Sequence, residues 1–117
     1  MVGFNEFQQE CDRTARQDLS WEQANLNWAL GIAGESGEFC ELIKKHVFHD
    51  KPMNPEDAKK ELGDILYYVA MAAANLGLKL EDVAQANCDK LRSRYPNGFK
   101  KGGGIRTTNN DHEDDGC

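Results

Sequence analysis

The chain has 117 residues, a mass of 13.1 kDa and a formal net charge of −6, with 39% apolar and 29% charged residues. That is one domain of ordinary soluble composition, and no apolar run approaches the ~20 residues a membrane-spanning helix needs, so such a span is excluded. Residues 107–117 carry Asp111, Glu113, Asp114 and Asp115 without a lysine or arginine, while the other 106 residues hold 14 basic and 16 acidic groups. A nearly neutral body lacks the basic footprint of a nucleic-acid or membrane-surface binder, and neither partner is expected.

The hydrophobic pattern is helical throughout, with strand-like alternation nearly absent. A first helix is expected from Phe4 to about Arg16, with Phe4, Phe7, Cys11 and Ala15 on one face. Ser20 is a candidate N-cap, and Gln23 three residues on completes a capping box. The second helix then runs from about Trp21 to Val47, with Leu26, Leu30, Ala33, Cys40 and Ile43 at core-compatible spacing and Trp28 as a core residue. Residues 49–54 form a turn containing Pro52. Asn54 can cap a third helix that has Pro55 in the favoured first position. Its aliphatic stripe is Leu62, Leu66, Val69, Ala73 and Leu76, and Gly77 ends it. A fourth helix runs from about Leu80 to Arg94 and stops before Pro96. Residues 101–117 turn glycine-rich and then acidic, and are expected to form a flexible tail.

The expected fold class is therefore all-α, a four-helix-type bundle over residues 1–100. The third helix also has a second, partly apolar side at Ile65, Ala72 and Ala74. A chain of this length has a modest core and cannot cover both sides, so the core is expected to be assembled with a partner subunit in a homo-oligomer. The four cysteines, at 11, 40, 88 and 117, form no C-x-x-C pair and lack zinc-ligand spacing with the three histidines. Cys40 and Cys88 fall in apolar patterns, where free cysteine packs as a small hydrophobe. Met1 to Arg16 has no apolar segment of secretory type. A cytoplasmic protein with reduced thiols is expected.

The informative feature is acidic. Glu35 and Glu38 are three apart in the second helix, and Glu61 and Asp64 are three apart in the third, so each pair shares a face. At ~1.5 Å per residue the first pair lies about 17 Å before the turn and the second about 11 Å after it. The unequal turn can absorb the difference, and in an antiparallel hairpin the four carboxylates meet at one level. Glu61, Asp64, Tyr68 and Asn75 form one stripe beside the aliphatic one. Gly31, Gly34, Gly37 and Gly63 flank the acids. Each glycine inside a helix costs about 1 kcal/mol relative to alanine, which implies close backbone approach or a cleft kept open.

One E-x-x-E alone reads most simply as a solvated helix face. Two pairs on adjacent helices, with glycines between, read as a ligand set. Converging carboxylates need a counter-charge, and an all-oxygen set suits Mg²⁺, with Mn²⁺ as the alternative. The chain has no Glu-x-x-His, which disfavours a di-iron site. On the fourth helix, Asn87 shares a face with Val83, Leu91 and Arg94, and Lys90 is its neighbour. An amide in that stripe needs partners, and Lys90 and Arg94 can meet a polyphosphate. Tyr68 can bond a phosphate or stack on a base, and Trp21 can wall a base pocket. Glu41 is an outer acid, Lys44 and Lys45 are solvated or paired with it, and His46 and His49 are surface residues near the turn.

The run Gly34-Glu35-Ser36-Gly37-Glu38 followed by Glu61-Leu62-Gly63-Asp64 resembles the E-x-x-E … E-x-x-D signature of the MazG-like all-α nucleotide pyrophosphohydrolases. Residues 87–96, with Asn87, Lys90 and the ending Arg94-Tyr95-Pro96, are similar to that family's last helix. The resemblance covers roughly residues 20–99. It implies a dimer or tetramer that hydrolyses nucleoside triphosphates, often non-canonical or deoxy ones, to monophosphate and pyrophosphate with Mg²⁺. By motif match it implies Glu35, Glu38, Glu61 and Asp64 as metal ligands and Tyr68, Asn87, Lys90 and Arg94 as substrate contacts, with Trp21 near the base. Glu38 is the candidate for the acid that orients or deprotonates the attacking water. Two other readings fit the same residues: a nucleotide binder without catalysis, and a structural helical oligomer with solvated acids.

Overall fold

The computed structural model describes residues 1–99; the expected tail at 101–117 lies outside the described residues. The fold is all-α, with helices α1 (Phe4–Thr14), α2 (Trp21–Phe48), α3 (Pro55–Asn75) and α4 (Leu80–Arg94). Among the described residues no strand forms, and a Pro96–Gly98 bridge stands isolated. None of the described helices is long and apolar enough to cross a membrane. A first compact unit, Met1–Glu81, holds α1 to α3 with Leu80 and Glu81 of α4, and a second begins at Asp82.

The local signals act as their chemistry requires. Ser20 Oγ accepts from the Gln23 amide at 3.1 Å and Gln23 Oε1 accepts from the Ser20 amide at 3.1 Å, closing the capping box of α2. Asn54 Oδ1 accepts from the Glu56 amide at 3.0 Å, with Pro55 opening α3. At the far end of α3 the chain turns through Gly77 at φ +74°. Leu78 N donates to Ala73 O at 2.9 Å and Gly77 N to Ala74 O at 3.0 Å, the paired bonds of a Schellman ending. Helix α1 stops at Thr14, short of the expected Arg16, because Ala15 is already extended and Arg16 forks onto Asp18 at 2.8 and 2.7 Å.

A seam joins α2 to α3. Among the positions of α2 withdrawn from solvent, Asn25, Trp28, Ile32, Glu35, Phe39 and Leu42 alternate by three and four. On α3 a matching set is Ala58, Glu61, Ile65, Tyr68, Ala72 and Asn75, with further buried positions where α1 packs. This is the repeat of two helices packed side by side. Trp21 meets Asn75, Gly31 meets Tyr68, and Glu35 meets Glu61 and Asp64, so the pair is antiparallel. Its open end is pinned twice: the Trp21 indole donates to Asn75 O at 2.7 Å, and the Asn75 amide donates back to Trp21 O at 3.2 Å.

The buried core sits where α1 packs on α3. Among the described residues the buried apolar side chains are Cys11, Trp28, Ala70, Met71, Ala73 and Leu80. Phe7, Ala15, Ala24 and Val69 pack against this cluster. Trp28, Tyr67 and Tyr68 form a ring trio with centroids 5.1 to 6.2 Å apart. The 11 residues of α1 span about 16 Å and the 21 of α3 about 31 Å, so α1 covers only half of α3.

The aliphatic stripes do not all face inward as expected. Leu26, Leu30, Ala33 and Cys40 on α2 are exposed, as are Leu62, Leu66 and Leu76 on α3, while the side at Ile65 and Ala72 faces the seam. Acids, asparagines and small residues occupy seam positions, so counting apolar residues misplaces the inward face over much of α2 and the acidic half of α3, while Phe7 and Cys11 of α1 and Val69 and Ala73 of α3 do turn inward. Cys40 and Cys88 are exposed free thiols instead of buried hydrophobes; Cys40 stands one position off the seam, beside Phe39. Cys117 lies outside the described residues.

Gly31 is where the seam is tightest. A Cβ there would stand 2.1 Å from Tyr68 Cδ1 and 2.5 Å from its Cγ. The ring is held by Trp28 and Tyr67 and cannot swing clear. Overpacking costs about 1–3 kcal/mol, against about 1 kcal/mol of helix propensity regained. Gly31→Ala is therefore expected to lower the thermal unfolding midpoint by several degrees, measured by circular dichroism; an unchanged or raised midpoint would contradict this packing.

Candidate metal centre

Two of the four acids occupy seam positions. Glu35 on α2 and Glu61 on α3 are half-buried where the helices face each other, and Asp64, one turn beyond Glu61, is exposed at the seam's edge. One carboxylate oxygen from each of the three lies within 4.8 Å of the others. The convergence expected from the spacing thus holds for three acids. Glu38 is outside this trio and exposed, one turn along α2. A Cβ added at Gly34, Gly37 or Gly63 would meet nothing within 4 Å, so bare backbone borders the acids on an open side; Gly31 is the close approach.

The trio is electrostatically strained. Glu35 has its pKa raised above the ordinary carboxylate value, first by partial desolvation and then by the negative charges of Asp64, Glu61 and Glu38. The ion pairs among the described residues lie elsewhere: Arg13 with Glu10, Arg16 with Asp18, Lys44 with Glu41 and Lys59 with Glu56. Glu41 is thus held by Lys44 at 3.9 Å. His46 and His49 are exposed at the end of α2, with His46 Nδ1 2.8 Å from Lys51 O. Three oxygen donors that repel one another across a half-buried seam fit a hard divalent cation.

The remaining candidates lie on α2, α3 and α4. Tyr68 lies in the seam one turn beyond Asp64, its ring packed against Gly31 and between Trp28 and Tyr67. Trp21 is half-exposed and lines a cavity of about 190 Å³ with Arg16, Leu19, Trp28, Met71 and Asn75. It stands fourteen positions before Glu35 on one helix, about 21 Å away, so a single chain does not bring it to the acids. In the second unit, Asn87 is exposed instead of enclosed by its apolar stripe, and Lys90 and Arg94 are half-buried. The sequence pattern left Asn25 unnoticed. It receives the Asn75 amide at 3.4 Å across the seam, and its signal was a polar residue at seam spacing from Trp28 and Glu35.

The MazG nucleotide pyrophosphohydrolase domain matches residues 23–99, from the first turn of α2 to the end of the described chain. The chain belongs to the MazG family. Its acidic seam is the part of this MazG domain that the motif resemblance singled out, whereas α1 lies outside the matched residues. The chain is also similar to the gene 37 protein of Mycobacterium phage L5, with 39% identity over 80 residues, covering 64% of this chain and 69% of that protein. No solved structure matches it.

The strain on Glu35 has a stability consequence. An acid whose pKa is raised by folding binds its proton more tightly in the folded chain than in the unfolded one, so the fold loses stability as pH rises through that pKa. In metal-free protein, Glu35→Gln is expected to melt above wild type at pH 7. The gap should close as pH falls below the ordinary carboxylate range. Thermal melts across a pH series check this; equal midpoints at neutral pH would show that the acids do not oppose folding.

Proposed function

We propose that this MazG domain, residues 1–100 with 101–117 as an appendage, hydrolyses nucleoside triphosphates, non-canonical or deoxy ones included, to nucleoside monophosphate and pyrophosphate. The observation that carries the reading is the meeting of Glu35, Glu61 and Asp64 across the seam, within a domain whose family is one of nucleotide pyrophosphohydrolases. Glu35, Glu61 and Asp64 would hold Mg²⁺, or Mn²⁺, with Glu38 at their margin. When bound, the cation offsets phosphate charge and makes water a stronger nucleophile near neutral pH.

The chain's own groups divide the remaining work. Glu38 is exposed beside the trio and is proposed to orient the attacking water and take its proton. Attack at the α-phosphorus breaks the α–β anhydride bond and releases pyrophosphate. Asn87, Lys90 and Arg94 match family positions that contact substrate; two cations there would offset charge on the leaving group. Tyr68, whose ring is committed to the seam, would offer its hydroxyl. Trp21 is too far along α2 to reach the base of a nucleotide whose phosphates meet Glu35 of the same chain, so its role at the base falls to a neighbouring subunit.

A homo-oligomer, dimer or tetramer, also accounts for the outward faces. Leu26, Leu30, Val47, Phe48 and Leu62 are all at least half exposed, Phe48 at 76%, on faces of α2 and α3 that α1 leaves open. Burying them against a second copy would extend the modest core. The cytoplasm is the compartment that keeps the exposed Cys40 thiol reduced.

Incubation with a panel of nucleoside triphosphates and Mg²⁺ is expected to release pyrophosphate. Glu38→Ala and Asp64→Ala are each expected to lower the rate by about a hundredfold or more while helical content by circular dichroism stays intact. Full activity in both variants would refute the assignment, and pyrophosphate release by none of the panel would refute the hydrolase reading. Light scattering is expected to give a multiple of 13.1 kDa; a monomer at micromolar concentration would leave the apolar faces without this explanation.

A further inference from the structure

Helix α4 does not cap itself. The first amides of a helix have no partner within it, and the residue before Leu80 is Lys79, which has no acceptor to offer. Helix α1 supplies the acceptors instead. Gln8 Oε1 accepts from the Leu80 amide at 3.1 Å and Asn5 Oδ1 accepts from the Glu81 amide at 3.1 Å. The two side chains are three apart and so share one face of α1.

Their amide nitrogens are used as well. Gln8 Nε2 donates to Ala70 O at 3.1 Å and to Leu78 O at 2.9 Å, joining α3, the turn after it and the first residue of α4. Asn5 Nδ2 donates to Glu81 Oε2 at 2.8 Å, so one amide holds both the backbone and the side chain of Glu81. Leu80 is buried at 3% exposure, and water cannot readily replace the Gln8 acceptor. Packing alone would ask of α1 only its apolar residues Phe7 and Cys11; these two amides serve α4.

We propose that Asn5 and Gln8 are positioning residues for the hydrolysis, anchoring the root of the helix that carries Asn87, Lys90 and Arg94. The inference rests on the hydrolase reading above and on those three residues meeting the triphosphate. An uncapped first turn frays, and the residues beyond it lose a fixed starting point. The acids that would hold the metal are on α2 and α3, and of these bonds only that from Gln8 Nε2 to Ala70 O reaches either helix, six positions beyond Asp64. Loss of the anchor therefore weakens substrate binding while the metal site is retained.

The test compares Asn5→Ala, the double variant Asn5→Ala with Gln8→Ala, and Cys11→Ala, which loosens the same α1 core without touching the anchor. KM and kcat are measured with the triphosphate that wild type turns over best, and Mn²⁺ affinity by calorimetry. The double variant is expected to raise KM about tenfold, equivalent to about 1.4 kcal/mol, with kcat changed far less and Mn²⁺ affinity unchanged. Gln8→Glu keeps the acceptor for Leu80 but loses both donated bonds, and its KM is expected between wild type and the double variant. Cys11→Ala is expected to lower the melting midpoint and leave KM alone. Should the double variant fail to fold, Asn5→Ala, which keeps every Gln8 bond, carries the test with a smaller rise in KM. An unchanged KM in the folded anchor variants overturns the proposal while leaving the hydrolase reading standing. A KM shift as large in Cys11→Ala also overturns it, by showing that KM merely follows stability. Absence of turnover by wild type overturns both.

Discussion

The structure turns on where the α2–α3 seam puts its polar residues. Two long helices packed antiparallel must fill a repeating row of inward positions, and here Glu35 and Glu61 take two of them. A carboxylate in such a row costs free energy unless something neutralises it. The raised pKa of Glu35, driven by desolvation and by its acidic neighbours, registers that cost. The seam thus explains at once why the helices are not held by their leucines and why the acids meet.

The same constraint shapes the remainder of the first unit. With acids and small residues in the middle of the seam, tight packing is displaced to the end where α1 lies, around Trp28, Tyr67, Tyr68 and Met71. Gly31 marks the boundary between the two regimes. On one side the backbone approaches an aromatic ring closely, and on the other Gly34, Gly37 and Gly63 border open space. The end near α1 carries the close packing, and the acidic end is bordered by open space.

Helix α1 has a larger part than its place outside the matched MazG residues would indicate. It closes the core through Cys11 and Phe7, and it provides the amide acceptors that α4 lacks. A short helix is thereby tied by hydrogen bonds to residues more than seventy positions away in sequence. Such bonds are directional and local, so they fix a helix start more sharply than apolar contact, which is non-directional.

The sequence by itself determined the four helices and, apart from the end of α1, where they stop, because caps, prolines and C′ glycines act over three or four residues: Ser20 with Gln23, Asn54 with Pro55, and Gly77 each act as their local chemistry dictates. It also brought out the acidic pairs and the family, since i, i+3 spacing on adjacent helices survives any reasonable packing. It did identify the inward face of α1 through Phe7 and Cys11, but not the one that α2 and the acidic half of α3 turn to each other. Leu26, Leu30, Leu62 and Leu66 outweigh Asn25, Glu35, Glu61 and Asn75 in any count of hydrophobicity, yet the latter hold the seam. Nor did it separate Glu38 from the other three acids, or show that Asn5 and Gln8 reach Leu80 and Glu81. Those facts depend on the register between helices and on contacts between residues remote in the chain, which only the folded arrangement decides.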